Sequence, residues 1–299
     1  MKKFIIKVLL FIFFGYLLGE IITRMYKLNI DVPNFYQDKD GLIKNKPNQT
    51  GYYINGNKWI INKYGQYGYE PKSLDSLITV IGDSYIESIM NPPACHQAFF
   101  LANMIGKYNF YPCARSGASF IEFMEMAKSL NHLNPINQLL YVHHGDFIES
   151  ITEITNQPLT VQLSISSNKI SFPKLTSNRF KDILYNFKFA YFLYRNYLVK
   201  STNVSTNNRD LKQTNIDYVK VQMLLDFVKK NYFTDNIILV FSPDSDKNLI
   251  ELVKENSFQT IELKTTNYKS WQLDNDSHWS CNGQEEAAKQ VSKYIDKSK

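Results

Sequence analysis

Short apolar runs that alternate with helical patterns constrain the fold of this 299-residue chain more than any other feature. Such runs, rich in Val, Ile, Leu and Phe, predict strands buried on both faces, at 77–82, 108–112, 138–143, 236–242 and 258–263. Helical patterns lie between and after them, at 97–106, 119–131, 214–231, 246–256 and 283–296. This alternation predicts an α/β fold with a central parallel sheet and helices on both of its sides.

The ends of the predicted strands carry polar and glycine residues. Ser84, Gly117 and Asp146 each follow a predicted strand. Ligands of parallel sheets bind beyond the carboxyl ends of the strands, which meet at one edge. The pattern therefore gathers these three residues at the edge where a site is expected.

Gly82-Asp83-Ser84 is the first of these strand ends, and a helix-compatible segment follows it. The arrangement places a serine hydroxyl where the N–H groups of a helix start face a developing negative charge. The same tripeptide is also common in ordinary surface turns. A catalytic interpretation therefore requires a base elsewhere in the chain.

A candidate base lies about 190 residues downstream, in the polar segment before the last helical pattern. Histidine is the usual acceptor of a serine proton, and a carboxylate normally orients it. His278 and Asp276, two residues before it, supply both groups. The sequence thus predicts a Ser84–His278–Asp276 triad, provided that the first and last parts of the fold meet.

These motifs resemble the conserved blocks of the SGNH (GDSL-type) hydrolase family, in the family's order. Gly82-Asp83-Ser84 resembles the first block and Asp276-Ser277-His278 the last. Residues 114–119 are similar to the second block, whose glycine, Gly117 here, gives its N–H to the oxyanion hole. His143-His144-Gly145-Asp146 sits where the third block, Gly-x-Asn-Asp, would sit. Residues 61–70 are similar to the lead-in of membrane-anchored members, so the resemblance covers roughly 55–295.

The blocks depart from the family pattern at three positions. The third-block asparagine, an oxyanion donor in the family, falls on Gly145, for which His143 or His144 are alternative donors. The usual second-block asparagine falls on Cys113. A last block with Asp-x-x-His spacing would use Asn275, although Asp276 is the better chemical candidate.

The resemblance implies a three-layer α/β/α, flavodoxin-like SGNH fold and a serine esterase or acyltransferase that needs neither metal nor cofactor. Its expected substrates are O-acyl, commonly O-acetyl, esters of envelope or exopolysaccharide carbohydrate. Asp83 and Asp146 are expected to hold the backbone around the site. The alternative is a catalytically impaired SGNH-like protein that binds glycan or assists assembly, which the substitution at Gly145 favours.

The amino terminus predicts a transmembrane helix within residues 1–27. The stretch from Phe4 to Ile22 is apolar except for Lys7 and Glu20, and about 20 residues suffice to cross the hydrocarbon core. A cleaved signal peptide is the alternative, but no small-x-small cleavage site follows. The basic start favours a cytoplasmic amino terminus and a periplasmic or extracellular domain.

The remaining chain divides into a tether and irregular lead-in at 28–76 and an SGNH-like domain at 77–299. An insertion at 147–213 interrupts the alternation of strands and helices. It contains a predicted hairpin, 160–164 with 169–172, and an aromatic-rich predicted helix at 179–199. The aromatic helix is expected either to pack on the main domain or to lie on the membrane surface.

Charge and cysteine content exclude several functions. Most of the net charge of +6 lies in the first 27 residues, and no basic stripe marks the body, so nucleic-acid binding is disfavoured. Cys95, Cys113 and Cys281 have no zinc-site spacing, and export would allow one pair to form. His96 and His132 have no motif around them and are expected on the surface.

Overall fold

The computed structural model describes residues 1–54, 56–175, 184–199, 216–274 and 276–297. The chain forms two compact units. Unit 1 contains residues 1–33 and 51–58 and the described part of 176–215. Unit 2 contains residues 34–50, 59–175 and 216–299, and it includes every strand of the central sheet.

The described helices are α1 (Lys2–Met25), α2 (Ser84–Glu87), α3 (Gln97–Met104), α4 (Phe120–Leu130), α5 (His144–Glu149), α6 (Lys188–Leu193), α7 (Tyr218–Asn231), α8 (Lys247–Glu255) and α9 (Cys281–Lys297). The described strands are β1 (Phe35–Gln37), β2 (Ile43–Asn45), β3 (Gln49–Tyr52), β4 (Lys58–Ile61), β5 (Leu77–Gly82), β6 (Asn109–Ala114), β7 (Asn137–Val142), β8 (Gln162–Ser164), β9 (Lys169–Ser171), β10 (Ile237–Phe241), β11 (Gln259–Glu262), β12 (Gln272–Leu273) and β13 (Asp276–Trp279). A single π-helical turn, Tyr194–Val199, continues α6.

The central sheet has five parallel strands in the order β6-β5-β7-β10-β11. Numbered by sequence, this is the 2-1-3-4-5 order of flavodoxin-like sheets. Each strand lies within two residues of its predicted bounds. The predicted α/β fold with a parallel sheet is therefore confirmed.

Alternate residues of each strand enter two separate cores, as the two-residue period of a strand requires. Ile81, Leu140 and Leu239 pack on one face with α4, α7 and α8. Val80, Leu139 and Val240 pack on the other face with α3 and α9. Because both faces are covered by helices, the architecture has three layers, which is why these strands read as continuous apolar runs.

Side-chain caps define where the flanking helices begin. Asp246 accepts a hydrogen bond from Leu249 N at the start of α8, and Asp217 accepts one from Lys220 N at the start of α7. Ser119 does the same at the start of α4. Each cap satisfies a backbone donor that the helix leaves unpaired, which typically contributes about 1 kcal/mol.

Short strands flank the sheet in the lead-in and in the insertion. The predicted hairpin is present as the antiparallel pair β8–β9, with Leu163 opposite Ile170. In the lead-in, β1 pairs with β2 and β3 with β4. The first part of the predicted aromatic helix, residues 179–183, lies outside the described residues.

Unit 1 is built around α1, whose apolar side chains are exposed along most of its length. By length and composition this helix could cross a membrane, although a signal sequence would have the same properties. α6 contacts α1 within this unit.

Candidate active site

Ser84 is the first residue of α2 and follows directly on the central strand β5. A Cβ atom at Gly82 would lie 2.5 Å from the Ile86 side chain, so the turn requires a glycine there. The Asp83 carboxylate accepts a hydrogen bond from Tyr85 N at 2.9 Å and caps the new helix. This tight turn holds Ser84 at the carboxyl edge of the sheet.

His278 comes to the same edge on β13. Its Nε2 lies 2.8 Å from Ser84 Oγ, and its Nδ1 is hydrogen-bonded to Asp276 Oδ1. Asp276 Oδ1 also accepts the backbone N–H of His278 at 3.0 Å. With a proton on Nδ1, Nε2 is free to accept the serine hydroxyl proton, which is the arrangement of a serine triad.

The charge of Asp276 suits this arrangement. Partial burial works to raise its pKa, but the backbone and side-chain hydrogen bonds from His278 outweigh that effect and lower the pKa below its usual range. Asp276 is therefore ionised at neutral pH and can stabilise a positive charge on His278.

Two hydrogen bonds and a disulfide, here together called the base clamp, join the Ser84 segment to the His278 segment. Asn91 Nδ2 donates to Trp279 O at 2.8 Å, and Gln284 Nε2 donates to Tyr85 O at 2.6 Å. A disulfide joins Cys95 to Cys281 across 186 residues. In the chain-entropy account, a crosslink over so long a loop stabilises a fold by about 5 kcal/mol.

The third cysteine takes no part in the clamp. Cys113 is a free, buried thiol on β6. Burial raises the pKa of Cys113 to about 12, so the thiol stays protonated at neutral pH. Since a thiolate is the reactive form, Cys113 has a packing role in this structure.

Aromatic rings cover the histidine on one side. The Tyr85 ring lies 5.0 Å from the His278 ring and 5.5 Å from the Trp279 ring, measured between centroids. Tyr85 and Trp279 immediately follow Ser84 and His278 in sequence. The two neighbouring residues therefore help to fix the relative position of the serine and the histidine.

The loop Arg115–Gly117, here called the oxyanion loop, follows β6 next to the Ser84 turn. Arg115 N donates to Gly82 O at 3.2 Å, which joins the loop to the end of β5. Gly117 has a φ of +72° and open space where a Cβ would point. Among the described residues, no acceptor takes the N–H of Ser84 or of Gly117. Both donors are therefore free to meet an oxyanion.

Two buried carboxylates hold the oxyanion loop. Glu87, on α2, accepts hydrogen bonds from both the backbone N–H and the hydroxyl of Ser116. Glu122, on α4, accepts a bidentate pair from Arg115 at 2.5 and 2.6 Å. Glu122 also accepts Val161 N at 3.0 Å, which connects the loop to the insertion. The position of the oxyanion loop thus depends on hydrogen bonds to the carboxyl groups of Glu87 and Glu122.

Glu87 is the more unusual of the two carboxylates. It belongs to α2, the helix that Ser84 begins, and the residue is only 7% exposed. Burial raises the pKa of Glu87 to about 7, with the hydrogen bonds from Ser116 opposing the shift. Its charge therefore changes near neutral pH.

The segment after β7 carries the altered third block. His143 N donates to Asp146 Oδ2 at 2.7 Å, and Gly145 N donates to His143 Nδ1 at 3.2 Å. Together these bonds form a capping box at the start of α5. His143 Nδ1 is therefore an acceptor, and the Gly145 N–H is already used.

The two histidines of this segment differ in their surroundings. The His143 and His144 rings lie 3.7 Å apart between centroids, and burial together with His144 lowers the pKa of His143 to about 4. His143 Nε2 lies 3.7 Å from Asp244 Oδ2. His144 Nδ1 is buried and has no hydrogen-bond partner among the described residues.

A small, partly open pocket lies where β5, β7 and β10 end. This is the switch point of a 2-1-3-4-5 sheet, where such folds bind ligands. Its lining combines aromatic and apolar side chains with two acids, a histidine and a serine: Asp83, Tyr85, Tyr141, Val142, His143, Asp146, Val240, Ser242 and Trp279. Of the predicted site residues, Asp83 and Asp146 line it, whereas Ser84, Gly117, His144, Gly145, Asp276 and His278 are not among its lining residues.

Burial acts in the same direction on both acids of this pocket. Burial raises the pKa of Asp83, although the Tyr85 N–H and the charge of His278 oppose the shift. Burial, with the nearby charge of Asp83, raises the pKa of Asp146 well above its ordinary value.

Sequence reasoning missed the residues that support the triad. Glu87 follows Ser84 by three residues and would be expected on the surface, because glutamate is rarely buried. Asn91, Glu122 and Gln284 carry no motif. His96 was expected on the surface, but it is 3% exposed, and burial lowers its pKa to about 4. Among the described residues, no group of His, Cys, Asp and Glu is arranged to hold a metal.

No family model matches the chain, and no curated protein matches it in sequence. Similar solved structures include a member of the lipolytic protein G-D-S-L family from Veillonella parvula, at 10% identity and a TM-score of 0.38, covering 74% of this chain and 98% of that one. The psychrotrophic esterase EstA from Pseudoalteromonas sp. is 11% identical, with a TM-score of 0.38, covering 74% and 100%. A family two carbohydrate esterase from Clostridium thermocellum is 14% identical, with a TM-score of 0.38, covering 76% and 65%.

Proposed function

We propose that the protein is a serine esterase or acyltransferase that uses Ser84 as its nucleophile. The observation that carries this proposal is the 2.8 Å contact between Ser84 Oγ and His278 Nε2, with Asp276 bound to the other ring nitrogen. A serine hydroxyl is a weak nucleophile until a positioned base accepts its proton.

The geometry supports a two-step reaction. His278 Nε2 takes the proton of Ser84 Oγ while the oxygen attacks the carbonyl carbon of the ester, and Asp276 stabilises the resulting imidazolium. The oxyanion meets the N–H groups of Ser84 and Gly117. When the intermediate collapses, His278 returns the proton to the leaving alkoxide and an acyl-Ser84 ester remains.

The second step decides between hydrolase and transferase. Water or a sugar hydroxyl loses its proton to His278 and attacks acyl-Ser84, and the proton then returns to Ser84 Oγ as the acyl group leaves. Water gives a free acid, and a sugar hydroxyl gives a new ester. The same side chains serve both outcomes.

We propose O-acyl esters of carbohydrate, with O-acetyl esters foremost, as the substrate class. The sugar and the envelope or exopolysaccharide setting rest on the sequence resemblance. A short acyl group also suits the modest pocket between β7 and β10, where Val142 and Val240 offer apolar walls.

We propose that α1 anchors the protein with its amino terminus in the cytoplasm and unit 2 in the periplasm or outside the cell. Lys2 and Lys3 precede the apolar stretch and favour this orientation under the positive-inside rule, and Arg24 and Lys27 on the other flank reduce the asymmetry. The Cys95–Cys281 disulfide supports this orientation independently, because disulfides persist in oxidising compartments.

The test uses the detergent-solubilised full chain and its Ser84→Ala variant with 4-nitrophenyl acetate. Wild type should turn over the ester and label with a fluorophosphonate probe, while the variant should do neither. Equal rates in both proteins would remove the serine-esterase proposal for this substrate. Adding acetylated and free xylo-oligosaccharides then separates hydrolysis from transfer by mass spectrometry.

One observation favours the rival function, a non-catalytic protein that binds glycan. Gly145 offers no side-chain donor to an oxyanion, and its N–H is bound to His143. If the rival is correct, the fluorophosphonate probe will leave Ser84 unlabelled in a folded protein that still binds acetylated oligosaccharide.

A further inference from the structure

We propose that residues 187–197 lie in the lipid headgroup region beside the carboxyl end of α1, and that α1 is a permanent part of the folded protein. The segment comprises Phe187, α6 and most of the π-helical turn that follows. The proposal concerns unit 1 and does not depend on the chemistry of Ser84.

The polar side chains near the end of α1 bind this segment and the residue just before it. The Glu20 carboxylate accepts the backbone N–H groups of Lys188 and Phe189, at 3.1 and 2.7 Å, and pairs with Arg24 at 2.7 Å. Arg24 also donates to Asn186 O at 2.8 Å. An acid in a membrane helix is costly unless it is paired, and Glu20 has a complete set of partners here.

Residues just after α1 bind the same short segment. Asn29 Nδ2 donates to Lys188 O at 2.6 Å, and Lys188 Nζ pairs with Asp31 at 2.7 Å. Removal of a signal peptide at the end of α1 would take Glu20 and Arg24 away. The N–H groups of Lys188 and Phe189 would then lose their acceptor. These contacts are those of a retained helix.

Gly19 has a specific reason to be a glycine. The Phe189 ring packs so closely on α1 that a Cβ at Gly19 would lie 2.7 Å from it. The same ring meets the Tyr16 ring at 5.8 Å between centroids. Gly15, one turn earlier, has no atom within 4 Å of the corresponding point. The position at which Phe189 packs therefore lies at a defined height along α1.

That height corresponds to the edge of a bilayer. At about 1.5 Å per residue, the apolar stretch from Phe4 to Ile22 extends about 28 Å, close to the thickness of a hydrocarbon core of about 30 Å. Glu20 and Arg24 then lie at the level where hydrocarbon meets headgroups. The first turn of α6 binds Glu20, and Asn186 just before α6 binds Arg24, so α6 lies at the same depth.

The composition and exposure of the segment fit this depth. Phe187 is 49% exposed and Tyr197 68% exposed, and Leu193 and Tyr194 are also exposed. Residues 184–199 contain Lys188 and Arg195 but no acid. Aromatic rings and basic side chains favour the headgroup region of anionic membranes. α6 itself packs on α1, whose apolar side chains are exposed, so the bilayer is the occupant we assign.

The test places an environment-sensitive dye at single positions of the full chain in phosphatidylcholine–phosphatidylglycerol vesicles, with and without brominated lipid. Tyr197→Cys carries the probe, Phe11→Cys marks the bilayer interior, and Lys230→Cys, exposed on α7, marks water. Bromolipid should quench the dye at 197 more than at 230 and less than at 11. A solvent-like dye at 197 overturns the proposal.

Three further results test the proposal. A blue-shifted dye at 197 that bromolipid does not quench would mean that protein, from this chain or a second copy, covers the segment, and it would overturn the proposal. Gly19→Leu should displace Phe189 and remove most of the quenching at 197, whereas Gly15→Leu should leave it unchanged.

The intact mass of the protein after membrane extraction should match the whole 34.9 kDa chain. Loss of residues 1–27 would contradict the retention of α1.

Discussion

The two sides of the candidate active site are held by different kinds of interaction. On the base side, a disulfide and amide side chains join the Ser84 and His278 segments. On the other side, the oxyanion loop depends on the carboxyl groups of Glu87 and Glu122. The base clamp contains no group that titrates near neutral pH, whereas Glu87 does.

The two kinds of interaction meet two different structural requirements of a serine hydrolase site. The nucleophile and base must stay within hydrogen-bond distance although they come from opposite ends of the chain, and a covalent tie secures this. The oxyanion loop must present one N–H in a fixed direction, which short polar contacts can achieve. Removal of either carboxylate should therefore disturb the loop without separating the triad.

The largest expected effect comes from Asp276→Asn on the base side. An amide here would favour the wrong tautomer of His278, and the analogous change in a known triad lowers kcat by about 10⁴-fold. We expect a loss of about 10³-fold or more in 4-nitrophenyl acetate turnover. A variant that keeps a tenth of the wild-type rate would show that Asp276 does not orient His278.

A smaller effect of opposite sign is expected on the oxyanion side from Gly145→Asn. One oxyanion donor is worth about 10²- to 10³-fold in known cases. Because the new Cβ would lie 3.3 Å from His143 Nδ1, the amide will be imperfectly placed, and we expect an increase of about tenfold in kcat. Gly145→Ala adds the Cβ without a donor, and a similar gain in that variant would exclude a donor effect.

Next in size is Glu87→Ala, which leaves the N–H and hydroxyl of Ser116 without their acceptor. A lost charged partner of this kind costs about 1–3 kcal/mol, and we expect a decrease of about tenfold in kcat with KM little changed. Glu87→Gln keeps a carbonyl acceptor and should retain most of the rate. If the glutamine variant were as slow as the alanine variant, the acceptor would not be the relevant feature.

The raised pKa of Glu87 also predicts that the stability of the protein depends on pH. The pKa of Glu87 is raised to about 7 in the folded protein. The stability that Glu87 contributes is therefore fully present below its unfolded-state pKa of 4.5, and it is lost as the pH rises through 7. Such a shift corresponds to roughly 3 kcal/mol. Relative to Glu87→Gln, wild type should lose thermal stability between pH 5 and pH 8. Parallel curves for the two proteins would refute the shift.

The smallest effect on the rate is expected from removal of the disulfide by Cys95→Ser and Cys281→Ser. Hydrogen bonds from Asn91 and Gln284 remain, so kcat should fall only a few-fold in the folded protein. Stability should decrease more, by roughly 3–5 kcal/mol, because the bridge closes a very long loop. Cys113→Ser is the matched control, and it should leave the bridge intact in a non-reducing mass measurement.

Local patterns in the sequence determined the architecture and the principal residues. Strands buried on both faces must be apolar throughout, so β5, β7 and β10 could be located by composition alone. Ser84 could be selected because strand ends meet at one edge of a parallel sheet, and His278 because a serine needs a base beside a carboxylate. The need for a glycine at position 19 could not be predicted in this way, because it depends on the Phe189 ring, 170 residues away.

Only the tertiary structure decided which groups surround these residues. Cysteine pairing depends on distance in space, and three thiols allow more than one pair, so Cys95–Cys281 became evident only in the fold. The burial of Glu87 and His96 likewise depends on neighbours from distant segments. Residue type determined what each side chain could do chemically, whereas its partners and its exposure to water determined whether that chemistry is available.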